Sequence, residues 1–253
     1  MNRWNGKIAV VTGASSGIGA DICCRLVEHG LQVVGLARRV EKVEELAKLL
    51  TGKSGKLYSV KCDVSNKDEV IKSFKWVADT LGPVHILINN AGLYKHGSIM
   101  EGNPDDWKTV LDTNVFGVTV CSQQAMQQMR EHHIAGHIIH INSIAGVRPV
   151  AGRPPILNIY SPSKYAITCL SDVMRQECEA FKVKIKVTSI CPGVVKTDIF
   201  ETAGSKFKPD MIPHLDTKDI SDAIIYALST GPNVQVYELQ IAPFEVASVF
   251  GDA

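Results

Sequence analysis

Tyr160 and Lys164 lie four residues apart in the stretch Tyr160-Ser-Pro-Ser-Lys164, and at that spacing two side chains share one face of a helix. A phenol with an ordinary pKa near ~10 is a poor base at neutral pH, but a neighbouring ammonium favours phenolate and brings it towards the working range. The spacing therefore suits a tuned proton donor and acceptor for an alcohol or carbonyl oxygen, with Lys164 tuning Tyr160. Two other polar residues serve the same chemistry if folding brings them to one crevice. Ser143 follows a β-branched run, and Asn114 sits inside a long helical segment. Each has a structural alternative: Ser143 can cap a turn, and Asn114 can bond a backbone carbonyl that a sheet leaves unpaired.

A second constellation is Thr12-Gly13-Ala14-Ser15-Ser16-Gly17-Ile18-Gly19, between an apolar run and an amphipathic segment. Gly13 can make the tight turn, Gly17 can let backbone approach a pyrophosphate, and Gly19 can let the helix pack close to a sheet, with the helix dipole facing the anion. Strand, loop and helix in this order predict a dinucleotide site formed by Gly13, Ser15, Ser16, Gly17, Ile18 and Gly19. The spacing T-G-x-x-x-G-x-G differs from the G-x-G-x-x-G of commoner dehydrogenases. An acidic residue about 20 positions beyond the glycines would bind both ribose hydroxyls and repel a 2′-phosphate. Here the second apolar run ends Ala37-Arg38-Arg39. With no carboxylate and two guanidiniums that can grip a phosphate, NADP is expected rather than NAD. Arg38 is the foremost contact, while Arg39 is either a second one or a solvated charge.

The elements that must hold these groups are legible as an alternation. Strands are expected at Ile8 to Thr12, Gln32 to Ala37, Leu57 to Asp63, Val84 to Asn89, His137 to Asn142, Lys184 to Cys191 and Val234 to Ile241. Helices are expected at Gly17 to Glu28, Val40 to Leu50, Lys67 to Leu81, Pro104 to Arg130, Asn158 to Phe181 and Ile220 to Ser229, with Ser65 capping the third and Asn103-Pro104 opening the fourth. Most of the strands are too apolar to alternate, as strands covered on both faces should be. Repeated βαβ units predict a parallel sheet. The irregular stretches Gly92 to Gly102, Ala145 to Leu157 and Asp198 to Asp216 each follow a strand, where ligands bind in an open parallel sheet. Leu93, Tyr94, Val147, Val150, Ile156 and Leu157, facing Ile199, Phe200, Phe207, Met211 and Ile212, are either the walls of a lipophilic substrate site or the packing of a lid onto the core.

Composition sets the outer limits. The 253 residues carry 27 Lys plus Arg against 26 Asp plus Glu, a formal net charge of +1, and 45% are hydrophobic. That balance fits one soluble globular domain over residues 1–253 that can bury a core without disulfides or metal. Near-neutrality gives no field to gather phosphate backbones or anionic lipid, so neither nucleic acid nor a membrane surface is an expected partner. Seven cysteines, with no C-x-x-C pair, read as free thiols of a reducing compartment. The run Ile8 to Val11 is too short for a signal-peptide core, and no later run reaches ~18 apolar residues. A cytoplasmic protein without a membrane anchor is expected. His85, His96, His132, His133, His137 and His140 have no metal-like spacing, so no metal is expected.

Taken together, Thr12 to Gly19, Asn89-Asn-Ala-Gly92, Asn114, Ser143, Tyr160-Ser-Pro-Ser-Lys164 and Pro192-Gly-Val-Val-Lys-Thr197 resemble the classical short-chain dehydrogenases/reductases over essentially the whole chain. The resemblance implies an α/β fold of Rossmann type, a doubly wound parallel seven-stranded sheet with helices on both faces. It also implies hydride transfer between a nicotinamide and an alcohol or carbonyl. By the same resemblance Tyr160 is the acid/base, Ser143 bonds the substrate oxygen, Lys164 bonds the nicotinamide ribose, and Asn114 anchors a proton-relay water. Asp63 would hold the adenine amino group beside Val64, and Asn90, Ala91 and Gly92 would line the adenosine side while stabilising the central strand. Pro192 and Gly193 would join the cofactor wall whose Val195 and Thr197 meet the carboxamide. Within the family the opening Met-Asn-Arg-Trp, the Ala37-Arg38-Arg39 end, Leu93-Tyr94 and Val236-Tyr-Glu-Leu-Gln-Ile-Ala-Pro243 are most similar to the insect farnesol-dehydrogenase-like group and its vertebrate NADP-dependent relatives. A lipophilic alcohol such as farnesol is the implied substrate, with a steroid or broad-specificity carbonyl reductase as the alternative. The segment between Ser143 and Tyr160, with its prolines, is longer than in many members and reshapes the expected mouth. A low-turnover NADP(H)-sensing regulator is a second class, but it would be expected to lose Tyr160 or Lys164. A glycine-loop methyltransferase would have no reason to place that pair over the crevice. The family's habit implies a homodimer or homotetramer pairing Val115 to Met129 and Ala166 to Glu179.

Overall fold

A computed structural model describes residues 1–148, 157–205 and 209–244 of the chain. Its seven strands are β1 (Ile8–Thr12), β2 (Gln32–Ala37), β3 (Lys56–Lys61), β4 (Ile86–Asn89), β5 (His137–Ile141), β6 (Lys186–Pro192) and β7 (Glu238–Ile241). They form one sheet in the order β3-β2-β1-β4-β5-β6-β7, with every pairing parallel. The helices are α1 (Gly17–Glu28), α2 (Val40–Leu49), α3 (Lys67–Thr80), α4 (Pro104–Leu111), α5 (Val118–Glu131), α6 (Tyr160–Ala180), α7 (Ile199–Thr202) and α8 (Thr217–Ser229). The parallel sheet is the one the alternation of runs predicts, and its Rossmann-type doubly wound architecture is the one the family resemblance implies.

Successive strand residues feed opposite layers, because their side chains alternate across the sheet. Ala9, Val11, Val33, Ile86, Ile88 and Ile139 pack with Ile22 and Leu26 of α1 and with Ile220 and Ile224 of α8. Val10, Val34, Leu36, Leu87, Ile138 and Val187 pack with Phe74 of α3, Val120 and Met129 of α5, and Met174 of α6. The sheet is therefore covered on both faces, which is why central strands such as β1, β2 and β4 read as mostly apolar runs. Strand order reverses between β1 and β4, and the crevice beyond their carboxyl ends is where open α/β sheets bind ligands.

Among the departures from the expected elements, four have a local cause. The long helix expected from Pro104 is interrupted by a π-helical turn, Asp112–Gly117, between α4 and α5. Gly117 lies within this turn against Val64, where an added Cβ would stand 2.7 Å from the Val64 carbonyl oxygen. The cap of α3 is Asn66, whose side chain accepts from Asp68 N and Glu69 N, while Ser65 turns instead to Asp63. Helix α6 opens at Tyr160, because Asn158 takes the left-handed conformation with φ 29. Strand β7 starts at Glu238, because the Gln235 side-chain amide bonds both Val187 N–H (3.3 Å) and Val187 carbonyl (2.8 Å). That amide occupies the place where a backbone ladder would have begun. All seven cysteines are free, with Cys23, Cys62, Cys121, Cys178 and Cys191 buried. Among the described residues no helix is long and apolar enough to cross a membrane.

Candidate active site

The glycine loop joins β1 to α1 at the reversal of strand order. Ser16 precedes α1 without a side-chain cap, which leaves the first-turn N–H groups and the positive end of the helix directed into the cleft. Gly17 has φ 55, and a Cβ on Gly19 would stand 2.3 Å from the Gly13 carbonyl oxygen. Only glycine at position 19 permits that approach of helix to loop. Asn90 Nδ2 donates to the carbonyls of Thr12 (2.9 Å) and Gly13 (3.2 Å), while Thr12 Oγ1 accepts from Asn90 N and Ala91 N, both at 3.0 Å. The end of β4 is thereby stitched to the glycine loop, so the structural role expected of this segment is present.

The two arginines after β2 behave differently. Arg38 lines the cleft. Arg39 Nη2 donates to Ser16 Oγ at 3.0 Å and lies 3.3 Å from Ser15 Oγ, bringing a guanidinium onto the phosphate loop itself. Arg39 stays exposed to solvent while making these contacts. Asp63 Oδ1 accepts from Ser65 N (3.0 Å) and Ser65 Oγ (2.7 Å), which orients its carboxylate beside Val64 at the same wall. An open helix N-terminus, a guanidinium on its loop and a carboxylate beyond it suit a nicotinamide dinucleotide by charge and by hydrogen-bonding type.

Ser143 stands just past β5, and its Oγ accepts from Ala145 N at 3.1 Å, capping the turn Ile144–Gly146. The same hydroxyl lines the cleft with Tyr160, whose phenol pKa it pulls down, so capping and site placement coexist. Lys164 follows Tyr160 by one turn of α6 and is 6% exposed. Its Nζ donates to the Ile141 carbonyl at 2.8 Å and lies 5.6 Å from the centroid of the Tyr160 ring. Burial pushes the Tyr160 phenol up to about 12, with the Ser143 hydrogen bond pulling against it. Burial also pushes the Lys164 ammonium down to about 8. The expected lowering of the phenol by the ammonium is therefore not found. Nζ stands over the ring and is committed to a carbonyl, and desolvation of both groups outweighs their attraction.

Asn114 lies in the π turn and is 1% exposed. Its Oδ1 accepts from Leu93 N at 2.8 Å, and its Nδ2 donates to Leu93 O at 2.9 Å and Ser163 Oγ at 3.1 Å. Ser163 in turn donates to the Tyr160 carbonyl at 2.6 Å. Asn114 therefore braces the loop after β4 against the first turn of α6. A Cβ on Gly92 would stand 3.5 Å from Asn114 Oδ1 and 3.8 Å from Lys164 Nζ, so these three residues surround one point.

A single cleft of about 1610 Å³ is lined by all the expected site residues except Gly19 and Asn114, which sit immediately behind its wall. From the far side, Pro192, Gly193, Val195 and Thr197 complete it. Thr197 Cγ2 would lie 3.2 Å from a Cβ on Gly17, so the segment after β6 closes over the glycine loop. The remaining end is apolar. Leu93, Tyr94, Leu157, Ile199, Phe200 and Ile212 take their expected places and Ile99 and Met100 extend the wall, but Val147 does not line it. Val150, Ile156, Phe207 and the side chain of Met211 lie outside the described residues. Sequence reasoning did not find Ser163 or the aromatic contacts of Tyr94. The first sits inside the Tyr-Lys motif as an ordinary helix residue, and the second depend on segments distant along the chain.

The model of the short chain dehydrogenase family matches residues 7–207. A farnesol dehydrogenase of Aedes aegypti is 46% identical over 250 residues, which cover 96% of this chain and 98% of that protein. Dehydrogenase/reductase SDR family member 11 of Gallus gallus is 39% identical over 259 residues, covering 98% of this chain and 100% of that protein. Among solved structures, the closed form of a serine dehydrogenase complexed with NADP+ is similar with a TM-score of 0.79 and 28% identity, over 92% of this chain and 93% of that one.

Proposed function

The chain belongs to the short-chain dehydrogenase family, and on that premise we propose that it is an NADP-dependent oxidoreductase acting on a lipophilic alcohol or carbonyl, farnesol or a related isoprenoid alcohol. The observation that carries the reading is the convergence of Tyr160, Ser143 and Lys164 on a cleft continuous with the uncapped N-terminus of α1. Bound in that cleft, NADP supplies the hydride acceptor, or in its reduced form the hydride donor. Tyr160 exchanges the proton at the substrate oxygen, and Ser143 holds that oxygen by a hydrogen bond. Lys164, fixed to Ile141, bonds the ribose and sets a charge over the phenol ring, and Asn114 keeps the surrounding backbone in register and anchors a relay water. Arg38 and Arg39 grip the 2′-phosphate, Asp63 and Val64 hold the adenine, and Asn90 to Gly92 line the adenosine. Pro192, Gly193, Val195 and Thr197 close on the nicotinamide end.

The apolar end of the cleft supports a long hydrocarbon, and the farnesol dehydrogenase relative supports an isoprenoid one. We assign the protein to the cytoplasm on its free thiols, and to a homodimer or homotetramer on the exposed Phe116, Tyr165 and Val173 near the expected pairing helices. Each buried methylene contributes about 0.8 kcal/mol. Catalytic efficiency therefore climbs across a series from short alcohols through geraniol to farnesol. Efficiency that is level or falls along the series would remove the lipophilic site and leave only a general alcohol or carbonyl oxidoreductase.

A further inference from the structure

Tyr94 takes no part in the proton transfer, yet it is only 3% exposed. Its ring meets Tyr160 edge to face at 5.7 Å and 80°, Phe200 at 5.8 Å and 67°, and His96 at 6.3 Å and 86°. Its hydroxyl shares a hydrogen bond with His96 Nδ1 at 3.0 Å. With Lys164 Nζ above the Tyr160 ring, a continuous series runs Phe200, Tyr94, Tyr160, Lys164, from α7 at the mouth of the cleft to the buried ammonium.

The backbone on either side of Tyr94 is fixed. Asn114 bonds both the N–H and the carbonyl of Leu93, and Asn158 Nδ2 donates to the Lys95 carbonyl at 2.8 Å. The Tyr94 ring therefore stands on an anchored base, and close-packed rings move only together. Tyr160 packs against Tyr94 and Tyr94 against Phe200, so a shift of one ring alters its contact with the next. Phe200 is carried by a single-turn helix after β6, the kind of segment that closes over substrate.

We propose that Tyr94 is a positioning residue that couples the seating of Phe200 over the cleft to the orientation of the Tyr160 phenol. The inference rests on the reading of Tyr160 as acid/base. Its consequence is that α7 governs turnover as well as substrate retention, even for a substrate too short to occupy the apolar end.

The test is single-turnover appearance of reduced nicotinamide, with saturating NADP, on 3-methylbut-2-en-1-ol and on farnesol. It compares the wild type with Tyr94→Leu, Phe200→Leu, the double variant and Tyr94→Phe. Loss of a well-oriented aromatic pair corresponds to about a three- to tenfold fall in rate. Each leucine variant should fall by that factor with both alcohols, while KM for the shorter alcohol stays put. The double variant should fall no further than Tyr94→Leu alone, and Tyr94→Phe, which keeps the ring, should recover most of the rate. Losses that multiply in the double variant, or that appear only in KM for farnesol, overturn the proposal and make the two rings plain substrate contacts. Should the leucine variants fail to fold by circular dichroism and NADP binding, Tyr94→Met and Phe200→Met, which conserve volume better, carry the same comparison. Tyr160→Phe runs alongside: turnover surviving in it would defeat the acid/base reading itself, a result distinct from any failure of coupling.

Discussion

Lys164 is a cation held where a cation is unstable, so removing it should strengthen the fold while ending the chemistry. Its pKa of about 8 in the folded chain, against an ordinary 10.5, corresponds to about 3 kcal/mol of burial penalty at 1.36 kcal/mol per pH step. Below pH 8 the group is protonated in both folded and unfolded chains, and the full penalty applies. Between about 8 and 10.5 the folded chain has released a proton that the unfolded chain still binds, so stability rises with pH until the penalty is gone. Lys164→Met keeps the bulk and removes the charge, at the cost of about 1 kcal/mol for the hydrogen bond to the Ile141 carbonyl. The variant should therefore be more stable than the wild type by about 2 kcal/mol at pH 7, or roughly 4–8 °C in Tm for a chain of this size. The advantage should vanish and reverse by about 1 kcal/mol near pH 10.5. Urea unfolding of both proteins without cofactor, at equal concentration and at pH 7, 9 and 10.5, measures the difference directly. A methionine variant that is less stable by the same amount at every pH would refute the reasoning, because the lysine would then carry no desolvation penalty.

Two other outcomes follow from the same geometry. A charge-assisted contact to a 2′-phosphate is worth roughly 1.5–3 kcal/mol, so Ala37→Asp with Arg38→Leu should shift the ratio of kcat/KM for NADP over NAD by about ten- to a hundredfold and reverse the preference. A wild type that already prefers NAD would contradict the role of Arg38, and an unmoved ratio would place the selectivity on Arg39, which reaches the loop serines. Asn114→Ala takes from the half-buried N–H and carbonyl of Leu93 their side-chain partner, at roughly 0.5–1.5 kcal/mol for each hydrogen bond. It should lower Tm and turnover together, and an unchanged Tm would contradict its bracing role.

How far the sequence foretells the molecule depends on the kind of signal each feature leaves. Strands such as β1 and β4 are legible because a strand covered on both faces is mostly apolar and is bounded by turns. The glycine loop is legible because its spacing reflects a steric requirement, visible in the 2.3 Å that a Cβ on Gly19 would leave. The π turn around Asn114 is not, since one extra residue in a helical turn changes hydrogen-bond register without changing composition or period. Nor is the late start of β7, where the Gln235 amide substitutes for backbone in a way that no strand propensity records. The Asn66 cap was missed by one residue, because Ser65 and Asn66 are both good caps and only the pull of Asp63 on Ser65 separates them. The direction of the Tyr160 shift fails for a different reason: proximity to Lys164 can be read from spacing, but the depth of burial that outweighs it cannot. The contact of Tyr94 with Phe200 joins segments that only the closed sheet brings together.

The central claim, that Tyr160 exchanges the substrate proton in a cleft that holds NADP by other residues, is tested most directly by mixing NADP and farnesol with wild type and with Tyr160→Phe. The reduced-nicotinamide absorbance is followed in the same samples in which NADP binding is titrated. The account predicts that the absorbance grows with wild type and is nearly absent with the variant, while NADP affinity stays within about a few fold, since the glycine loop and arginines carry the binding. Comparable growth of the band in both proteins would contradict it.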